Sequence, residues 1–415
     1  MTVASSAPTA TRKWFVVVLL AIGMVIAYVD RANLSVVLAL PDFRQLFRLT
    51  DADRGLLSSA FFWTYALLQI PAGWLIDRYG SKIPYAAGFL FWGVVSAGTG
   101  LVQNVSQLIA ARLLLGVGES VSTAASLRWI RCNCKEEERG LATGVLFSGT
   151  KFGTAIGVPV TAFLVTRFNW RLMFLITGLG GLIWLVGWMG LVEKEASPPR
   201  RTGSGSGELG GFSQIGPRVM SGIVLGTFAY NYFIYFCLTW LPSYLVEARH
   251  LSLSSMGLYT MFSFGGMAVV GIAAGWAADR LIERGAAAVR VRKMFTILGF
   301  VIASTEVVGA LSSSRSVALF FAVFSLAGLG LATANYWALT QTLVPPRAIG
   351  RAVGVQNFAS NTSGAVAALL TGWLKQSTGS YEAPMLAVLA ILLLGIFSYG
   401  WLVRTNLEPV AAAAS

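Results

Sequence analysis

The chain has 415 residues, of which 55% are hydrophobic and 12% are charged, and its mean hydropathy is +0.68. This composition excludes an ordinary soluble domain and predicts an integral membrane protein. The formal net charge of +13 raises the question of a nucleic-acid partner. The basic residues lie in short segments between apolar stretches, so membrane topology explains the charge and we expect no nucleic-acid partner.

Cysteine and histidine are too few for a metal site or a disulfide framework. The chain has three cysteines, Cys132, Cys134 and Cys237, and one histidine, His250. Their spacing is typical of neither structure. We therefore expect no metal and no cofactor. Without a nucleophile–base pair there is also little on which to build an enzyme.

Twelve apolar stretches follow one another along the chain, and each is near or above the length that a helix needs to cross a bilayer. They predict an all-α integral membrane protein with twelve transmembrane helices. The predicted spans are 14–40, 55–76, 83–103, 107–130, 140–166, 170–192, 219–246, 253–282, 291–312, 316–343, 348–374 and 381–403.

A polar segment rich in Pro, Gly and Ser, residues 193–217, separates the sixth span from the seventh. Such a segment is typical of a linker. It predicts an N-terminal six-helix bundle over 1–192 and a C-terminal one over 218–415, joined by a cytoplasmic linker. Lys and Arg are enriched in the segments on the side of the N-terminus, so the positive-inside rule predicts a multi-pass protein with both termini cytoplasmic.

The two halves repeat a short motif. Gly73-Trp-Leu-Ile-Asp77-Arg78 follows the second span, and Gly275-Trp-Ala-Ala-Asp279-Arg280 follows the eighth. The repeat points to a duplicated, pseudo-symmetric unit. We interpret the motif as a conformational latch that caps a neighbouring helix end, with Gly73, Asp77, Arg78, Asp279 and Arg280 as its members.

Five charged residues lie well inside the spans of the first half, away from the span ends. Asp30 and Arg31 are in the first span, Arg112 and Glu119 in the fourth, and Lys151 in the fifth. Placing a charge in the membrane interior costs free energy, so a charged residue there is taken as a functional candidate. Three cations against two acids suit an anion, and protonation of the acids would suit it better. This gives a physical route to coupling between protons and substrate.

Other pairings of these charges stay open at this point. Asp30 has Arg112 as a candidate partner, Arg112 and Glu119 could form a structural pair, and Lys151 could pair permanently with Glu119. Arg128 is expected to pair with a loop acid, Asp77 or Glu138. Glu306 is expected to reach the interface at the outer end of the ninth span.

Amide and aromatic side chains replace charges in the second half. Tyr230, Asn231, Tyr232 and Tyr235 lie in the seventh span, and Trp337, Gln341, Asn357 and Asn361 lie in the tenth and eleventh. Such groups suit the hydroxyls of a polyhydroxy acid. The alternative is ordinary hydrogen bonding between helices, which contributes only about 0.6 kcal/mol on average.

The repeated motif, the twelve spans and the central linker resemble the major facilitator superfamily over nearly the whole chain. Within it, Tyr28-Val-Asp30-Arg31-Ala-Asn33, Arg112-x6-Glu119 and Glu138-Arg139-Gly140 resemble the anion:cation symporter family, as does Tyr235-x4-Trp240-Leu-Pro-x-Tyr244-Leu. This family includes bacterial carriers of hexonates, hexuronates and aldarates, sialin and the vesicular glutamate carriers.

The resemblance implies a proton-coupled symporter that works by alternating access. Arg31 would hold the substrate carboxylate, while Asp30 and Glu119 would take up protons. Trp337, Asn357 and Asn361 would be substrate contacts in the second half. The chain departs from the galactonate carriers at Lys151, where those carriers have a neutral amide.

These observations together predict an importer of an organic anion, with a sugar acid (hexonate, hexuronate or aldarate) as the expected substrate. We expect a monomer in the plasma (inner) membrane, surrounded by the lipid bilayer, with the proton as coupling ion. The alternatives are a sodium-coupled or exchanging carrier of another mono- or dicarboxylate, such as tartrate or an aromatic acid, and a membrane solute sensor. The predicted substrate residues are Arg31, Lys151, Tyr28, Asn33, Arg112, Thr150, Tyr232, Tyr235, Trp337, Asn357 and Asn361.

Overall fold

The structure is a computed structural model that describes residues 10–193, 216–344 and 349–403. In these ranges every regular element is a helix. Most of the predicted linker, 193–217, lies outside the described residues, and so do both chain ends, on which the predicted location of the termini depends.

Nine helices form the first half of the described chain. They are α1 (Ala10–Ala39), α2 (Pro41–Phe47), α3 (Asp51–Tyr79), α4 (Lys82–Thr99), α5 (Val105–Glu119), α6 (Ser122–Asn133), α7 (Glu136–Arg167), α8 (Trp170–Gly181) and α9 (Ile183–Leu191).

The second half contains seven further α-helices and ends in a π-helical turn, Ser398–Leu402. The helices are α10 (Pro217–Glu247), α11 (Leu253–Glu283), α12 (Ala288–Ala303), α13 (Glu306–Leu311), α14 (Arg315–Leu343), α15 (Ile349–Thr378) and α16 (Glu382–Phe397).

The predicted twelve-span arrangement is confirmed. Three predicted spans, the fourth, sixth and ninth, are each formed by two consecutive helices, α5 with α6, α8 with α9 and α12 with α13. Eight helical stretches among the described residues are long and apolar enough by themselves to cross a membrane. The short helix α2 was not predicted, because the apolar pattern stops at Leu40; Pro41 at its first position favours this helix start.

Polar side chains fix several helix starts. Thr50 and Asp53 form a capping box at the start of α3, with the Thr50 hydroxyl accepting from the Asp53 backbone N–H and the Asp53 carboxylate accepting in return. Asn104 and Asn169 accept from backbone N–H groups at the starts of α5 and α8. The Asn104 cap sets where α5, the helix that carries Arg112 and Glu119, begins.

Close packing of α7 on α1 brings two of the charged helices together. A Cβ added at Gly149 would lie 2.2 Å from the backbone oxygen of Ala21, and one at Gly153 would lie 2.7 Å from that of Val25. Only glycine permits this approach. Small residues are the usual means by which membrane helices pack closely.

The described chain divides into two compact units. The first contains α1–α9 together with Leu245–Glu247 and Leu251–Met261, and the second contains the remaining described residues from Gly216 onward. The five predicted interior charges all belong to the first unit, so their geometry can be described within it.

Candidate substrate and proton site

Arg31 and Glu119 form a buried ion pair between α1 and α5. The Arg31 Nε and Nη2 atoms both lie 2.8 Å from Glu119 Oε2. Glu119 is fully buried and Arg31 is 7% exposed. Two charge-assisted hydrogen bonds in a membrane interior make a strong contact, and breaking it would leave a charge uncompensated.

Three aromatic rings surround the guanidinium of Arg31. Its carbon lies 4.6 Å from the ring centre of Tyr28, 4.6 Å from that of Phe61 and 4.8 Å from that of Tyr65. The guanidinium of Arg112 lies 5.6 Å from the same Phe61 ring. Cation–π contacts of this kind favour a desolvated cation. The rings therefore hold the Arg31 guanidinium in place.

Phe61 and Tyr65 were missed in the sequence. Aromatic residues are ordinary members of an apolar span, and their four-residue spacing shows only that they share a face of α3. Their contact with Arg31 can be inferred only once α3 is known to face α1. Tyr28, which was predicted, lies three residues from Arg31 on the same helix and is the local part of this arrangement.

Asp30 has neutral partners. Its Oδ1 accepts a hydrogen bond of 2.8 Å from the Ser96 hydroxyl and one of 3.3 Å from Asn33 Nδ2. No cation of a described residue lies within salt-bridge distance, so the pairing with Arg112 that the sequence left open does not form. A carboxyl group that is buried among neutral donors can exist in either protonation state.

Asn33 is wholly buried and links three helices. Its Nδ2 donates to Thr177 Oγ1 at 2.8 Å as well as to Asp30, and its Oδ1 accepts from Thr161 Oγ1 at 2.7 Å. Both amide hydrogens are thus used within the protein. In this arrangement Asn33 orients Asp30, whereas the sequence placed it in contact with the substrate.

Lys151 and Arg112 have no ion-pair partner among the described residues. Of the pairings that the sequence left open, Lys151 with Glu119 and Arg112 with Glu119 are therefore both wrong, because Glu119 pairs with Arg31. Thr150, next to Lys151, is buried and its hydroxyl donates to the backbone oxygen of Phe147. Of the three interior cations in the described part of the first unit, Arg31 thus has an ion-pair partner and the other two have none.

The predicted polar residues of the second unit mostly bond to their own helices. Asn231 Nδ2 donates to the backbone oxygen of Thr227, and Asn361 Nδ2 donates to that of Asn357. Tyr232 and Tyr235 are buried, while Trp337 and Asn357 are half-buried. For Asn361 the observed bond is of the ordinary structural kind.

A buried amide network in the second unit was not predicted. Gln356 Nε2 donates to Thr227 Oγ1 at 2.9 Å and to Thr340 Oγ1 at 3.0 Å, which links α10, α14 and α15. Tyr230, three residues after Thr227, shares a hydrogen bond of 2.8 Å with Thr333. A glutamine in a Gly- and Ala-rich span was the available signal.

Glu306 differs from its predicted position. It begins α13 after a break in the ninth span, is 4% exposed, and accepts a hydrogen bond from the Ser325 hydroxyl. The expectation that it reaches the interface is wrong, because the turn between α12 and α13 keeps its side chain against α14.

The repeated motif forms an ion pair in each half. Arg128 Nη1 lies 2.9 Å from Asp77 Oδ1, which confirms one of the two partners expected for Arg128, and Arg292 Nη2 lies 3.1 Å from Asp279 Oδ1. The other motif residues make local contacts. The Arg78 guanidinium lies 5.3 Å from the Trp74 ring, Arg280 bonds to Glu283, and a Cβ at Gly73 would meet nothing within 4 Å.

Lys13 and Glu138 join the start of α1 to the start of α7. Lys13 Nζ donates to Glu138 Oε1 at 2.6 Å. This hydrogen bond, followed by one from the Lys135 backbone N–H, lowers the pKa of Glu138 below its ordinary value. The pair sits at the same end of both helices, ahead of the predicted fifth span.

Comparison with protein-family models decides the superfamily. The model described as the Major Facilitator Superfamily matches residues 20–368, which is most of the chain. The chain therefore belongs to the major facilitator superfamily. The resemblance inferred from the motifs is confirmed, and the chain is a multi-pass membrane transporter and not an enzyme.

Members of this superfamily that are similar to the chain carry sugar acids according to their names. A D-galactonate transporter of Escherichia coli is 31% identical over 95% of this chain and 96% of its own. A hexuronate transporter of Bacillus subtilis is 29% identical, covering 89% and 90%. A probable galactarate/D-glucarate transporter of Escherichia coli is 26% identical, covering 93% and 94%.

The fold is shared with a solved transporter structure. A bacterial homologue of the human lysosomal transporter Spinster, in an inward-facing and occupied conformation, superposes with a TM-score of 0.82 over 98% of this chain and 100% of its own. The two sequences are 17% identical, so the likeness concerns the fold alone.

Proposed function

We propose that this superfamily member is a proton-coupled symporter that imports an organic anion of the sugar-acid class by alternating access. Three similar carriers are named for galactonate, hexuronate and galactarate or glucarate. The observation that carries the proposal is the Arg31–Glu119 pair, because it places an anion-binding cation in direct contact with a carboxyl group that can take up a proton.

The coupling would work by competition for Arg31. While Glu119 is ionised, its carboxylate engages Nε and Nη2 of Arg31, and a substrate carboxylate must compete for these two donors. Protonation of Glu119 removes its charge and releases Arg31, which can then hold a carboxylate through the same two donors. Asp30, held by neutral donors, is the second proton site in this proposal.

The remaining predicted residues take supporting parts. Tyr28, Phe61 and Tyr65 keep the guanidinium in position, and Asn33 orients Asp30. We propose that the ion pairs of the repeated motif act as latches that are made and broken as the carrier changes state. We also propose that the carrier resides in the plasma membrane with both termini in the cytoplasm.

Purified protein in liposomes tests the function directly. Vesicles with an imposed pH gradient, an imposed sodium gradient or neither are given labelled D-galactonate, D-glucuronate or galactarate. The proposal expects accumulation of at least one acid that depends on the pH gradient, is abolished by a protonophore and is indifferent to sodium. Accumulation driven by sodium alone, or exchange that no gradient can drive uphill, would replace it with a different coupling mode.

Arg31→Ala provides the matched test of the site. It should abolish binding of the acid that the wild type transports, since it removes the carboxylate anchor. Arg171→Ala, which removes a guanidinium of the same unit that bonds to the backbone oxygen of Gly100, is the control for a general loss of structure. Wild-type affinity in Arg31→Ala would refute the role given to Arg31.

A further inference from the structure

Lys151 is a cation inside a membrane-crossing helix that no acid of the described residues compensates. The two interior acids of the first unit are otherwise engaged, because Glu119 pairs with Arg31 and Asp30 bonds to Ser96 and Asn33. A lysine at the centre of a span costs about 2.5–3.5 kcal/mol. A charge that is kept at that cost without a protein partner indicates that a ligand of opposite charge binds to it.

Lys151 lies on the side of α7 opposite its contact with α1. Gly149 and Gly153 mark the side of α7 that packs on α1, and Lys151 is two residues from each, so it projects about 200° around the helix from both. Phe152, which is 63% exposed, projects about 100° from Lys151. Lys151 is only partly buried, so part of its side chain is accessible.

The charges of the first unit favour a substrate with two negative charges. Arg31, Arg112 and Lys151 against Asp30 and Glu119 leave one excess positive charge when all five are ionised. Two protons raise this to three, and a dianion returns it to one, so loading does not change the charge that must cross the membrane. A monoanion with two protons leaves one more positive charge than the empty site has. A monoanion with one proton restores the charge of the empty site but leaves Lys151 without a partner.

We propose that Lys151 is the binding site for a second carboxylate, and that the substrate is the dianion of a polyhydroxy dicarboxylic acid. The inference rests on the proposed function, in which Arg31 takes the first carboxylate. Arg31 is planar, enclosed by rings and suited to bidentate binding, whereas an ammonium on a flexible chain adapts to acids of different length. Lys151 is thus the residue that determines specificity between mono- and dicarboxylates.

Matched acids that differ only at the last carbon test the proposal. Binding of galactarate and of D-galactonate is measured by calorimetry on purified wild-type protein, Lys151→Gln and Lys151→Arg. We expect the wild type to prefer galactarate. We expect Lys151→Gln to bind galactarate about 10- to 100-fold more weakly while its affinity for galactonate changes less than about threefold. Lys151→Arg should recover most of the loss.

Lys135→Gln is the control variant, because it removes the same charge from an exposed position at the start of the same helix. Equal weakening of both acids in Lys151→Gln, or no weakening of either, would overturn the assignment while leaving the proposed function intact. A wild type that binds galactonate and not galactarate would do the same. A wild type that binds neither acid and shows no pH-driven uptake would overturn the proposed function and the inference together.

Membrane potential offers a second readout. Two protons and a dianion move no net charge, so uptake of galactarate should be insensitive to a potassium diffusion potential applied with valinomycin. Stimulation of galactarate uptake by a negative interior would contradict the charge balance on which the inference depends.

Discussion

Replacing Glu119 with glutamine isolates the proposed competition for Arg31. Glutamine keeps the size and shape of the side chain and removes its charge, so it leaves no cavity in a fully buried place. Its amide oxygen can still accept hydrogen bonds from Arg31, but these bonds are weaker because the acceptor is uncharged. A substrate carboxylate can therefore displace it more readily from the two donors that reach Glu119 Oε2 at 2.8 Å in the wild type.

The magnitude follows from the two bonds that the substrate must displace. A hydrogen bond to a charged group contributes about 1.5–3 kcal/mol, and each 1.4 kcal/mol corresponds to a factor of ten in affinity. In the proposal the wild type holds the ion pair at alkaline pH, so under that condition Glu119→Gln should bind substrate about 10- to 100-fold more tightly than the wild type does. Towards acidic pH the two affinities should converge.

The assay is substrate binding by calorimetry between about pH 5.5 and pH 8.5, a range in which a sugar acid stays ionised. Glu306→Gln is the matched control, because Glu306 is also a buried glutamate but bonds to Ser325 and not to an arginine. It should keep the wild-type pH profile. If the substrate affinity of Glu119→Gln falls as steeply with rising pH as that of the wild type, the proposed competition between Glu119 and substrate for Arg31 is refuted.

Two further predictions concern stability. Gly149→Ala should lower the unfolding free energy by about 1–3 kcal/mol, because its Cβ would lie 2.2 Å from a backbone oxygen of α1. In the control Gly144→Ala the added Cβ meets nothing within 4 Å, so the unfolding free energy should stay the same or rise by up to about 1 kcal/mol. Thermal unfolding in detergent compares the two variants. The Lys13–Glu138 bond lowers the pKa of Glu138, so its stabilisation is complete above the ordinary pKa of 4.5 and is lost as pH falls through the lowered value. The difference in Tm between wild type and Glu138→Gln should thus be constant from about pH 8 to pH 5.5 and vanish in stronger acid.

Equal losses of Tm in Gly149→Ala and Gly144→Ala would show that α7 tolerates the added methyl at its contact with α1. For the Glu138 pair, a Tm difference that grows on acidification would contradict the assigned direction of the pKa shift.

The apolar pattern was enough to predict the spans, because the bilayer sets their length. It was also enough to select the interior charges as candidates, since only five charged residues of the first half lie well away from the span ends. It did not predict how they pair. The sequence left Asp30 with Arg112, and Glu119 with Arg112 or Lys151, as candidate pairs, whereas the pair that forms is Arg31 with Glu119.

The missing information is rotation about the helix axes. A sequence shows which residues share a face of one helix, but not which faces of two distant helices meet. The same limit hid Phe61, which contacts Arg31 only because α3 turns that face towards α1. For Glu306 the limit was different, since the break between α12 and α13 moved a residue that hydropathy alone placed at the interface.

The Arg31–Glu119 pair can couple two ligands without a long-range pathway. The empty carrier with the pair formed is locally neutral, and so is the carrier with Glu119 protonated and a carboxylate on Arg31. A carrier holding only the proton, or only the anion, would carry one uncompensated charge through the membrane at a cost of about 2.5–3.5 kcal/mol. Those forms would be about two orders of magnitude rarer.

Because linkage is reciprocal, the factor by which a proton strengthens substrate binding must equal the factor by which substrate strengthens proton binding. Addition of substrate at about pH 8 should therefore draw protons from a weakly buffered solution of the wild type, and the contribution of this pair should be absent in Glu119→Gln.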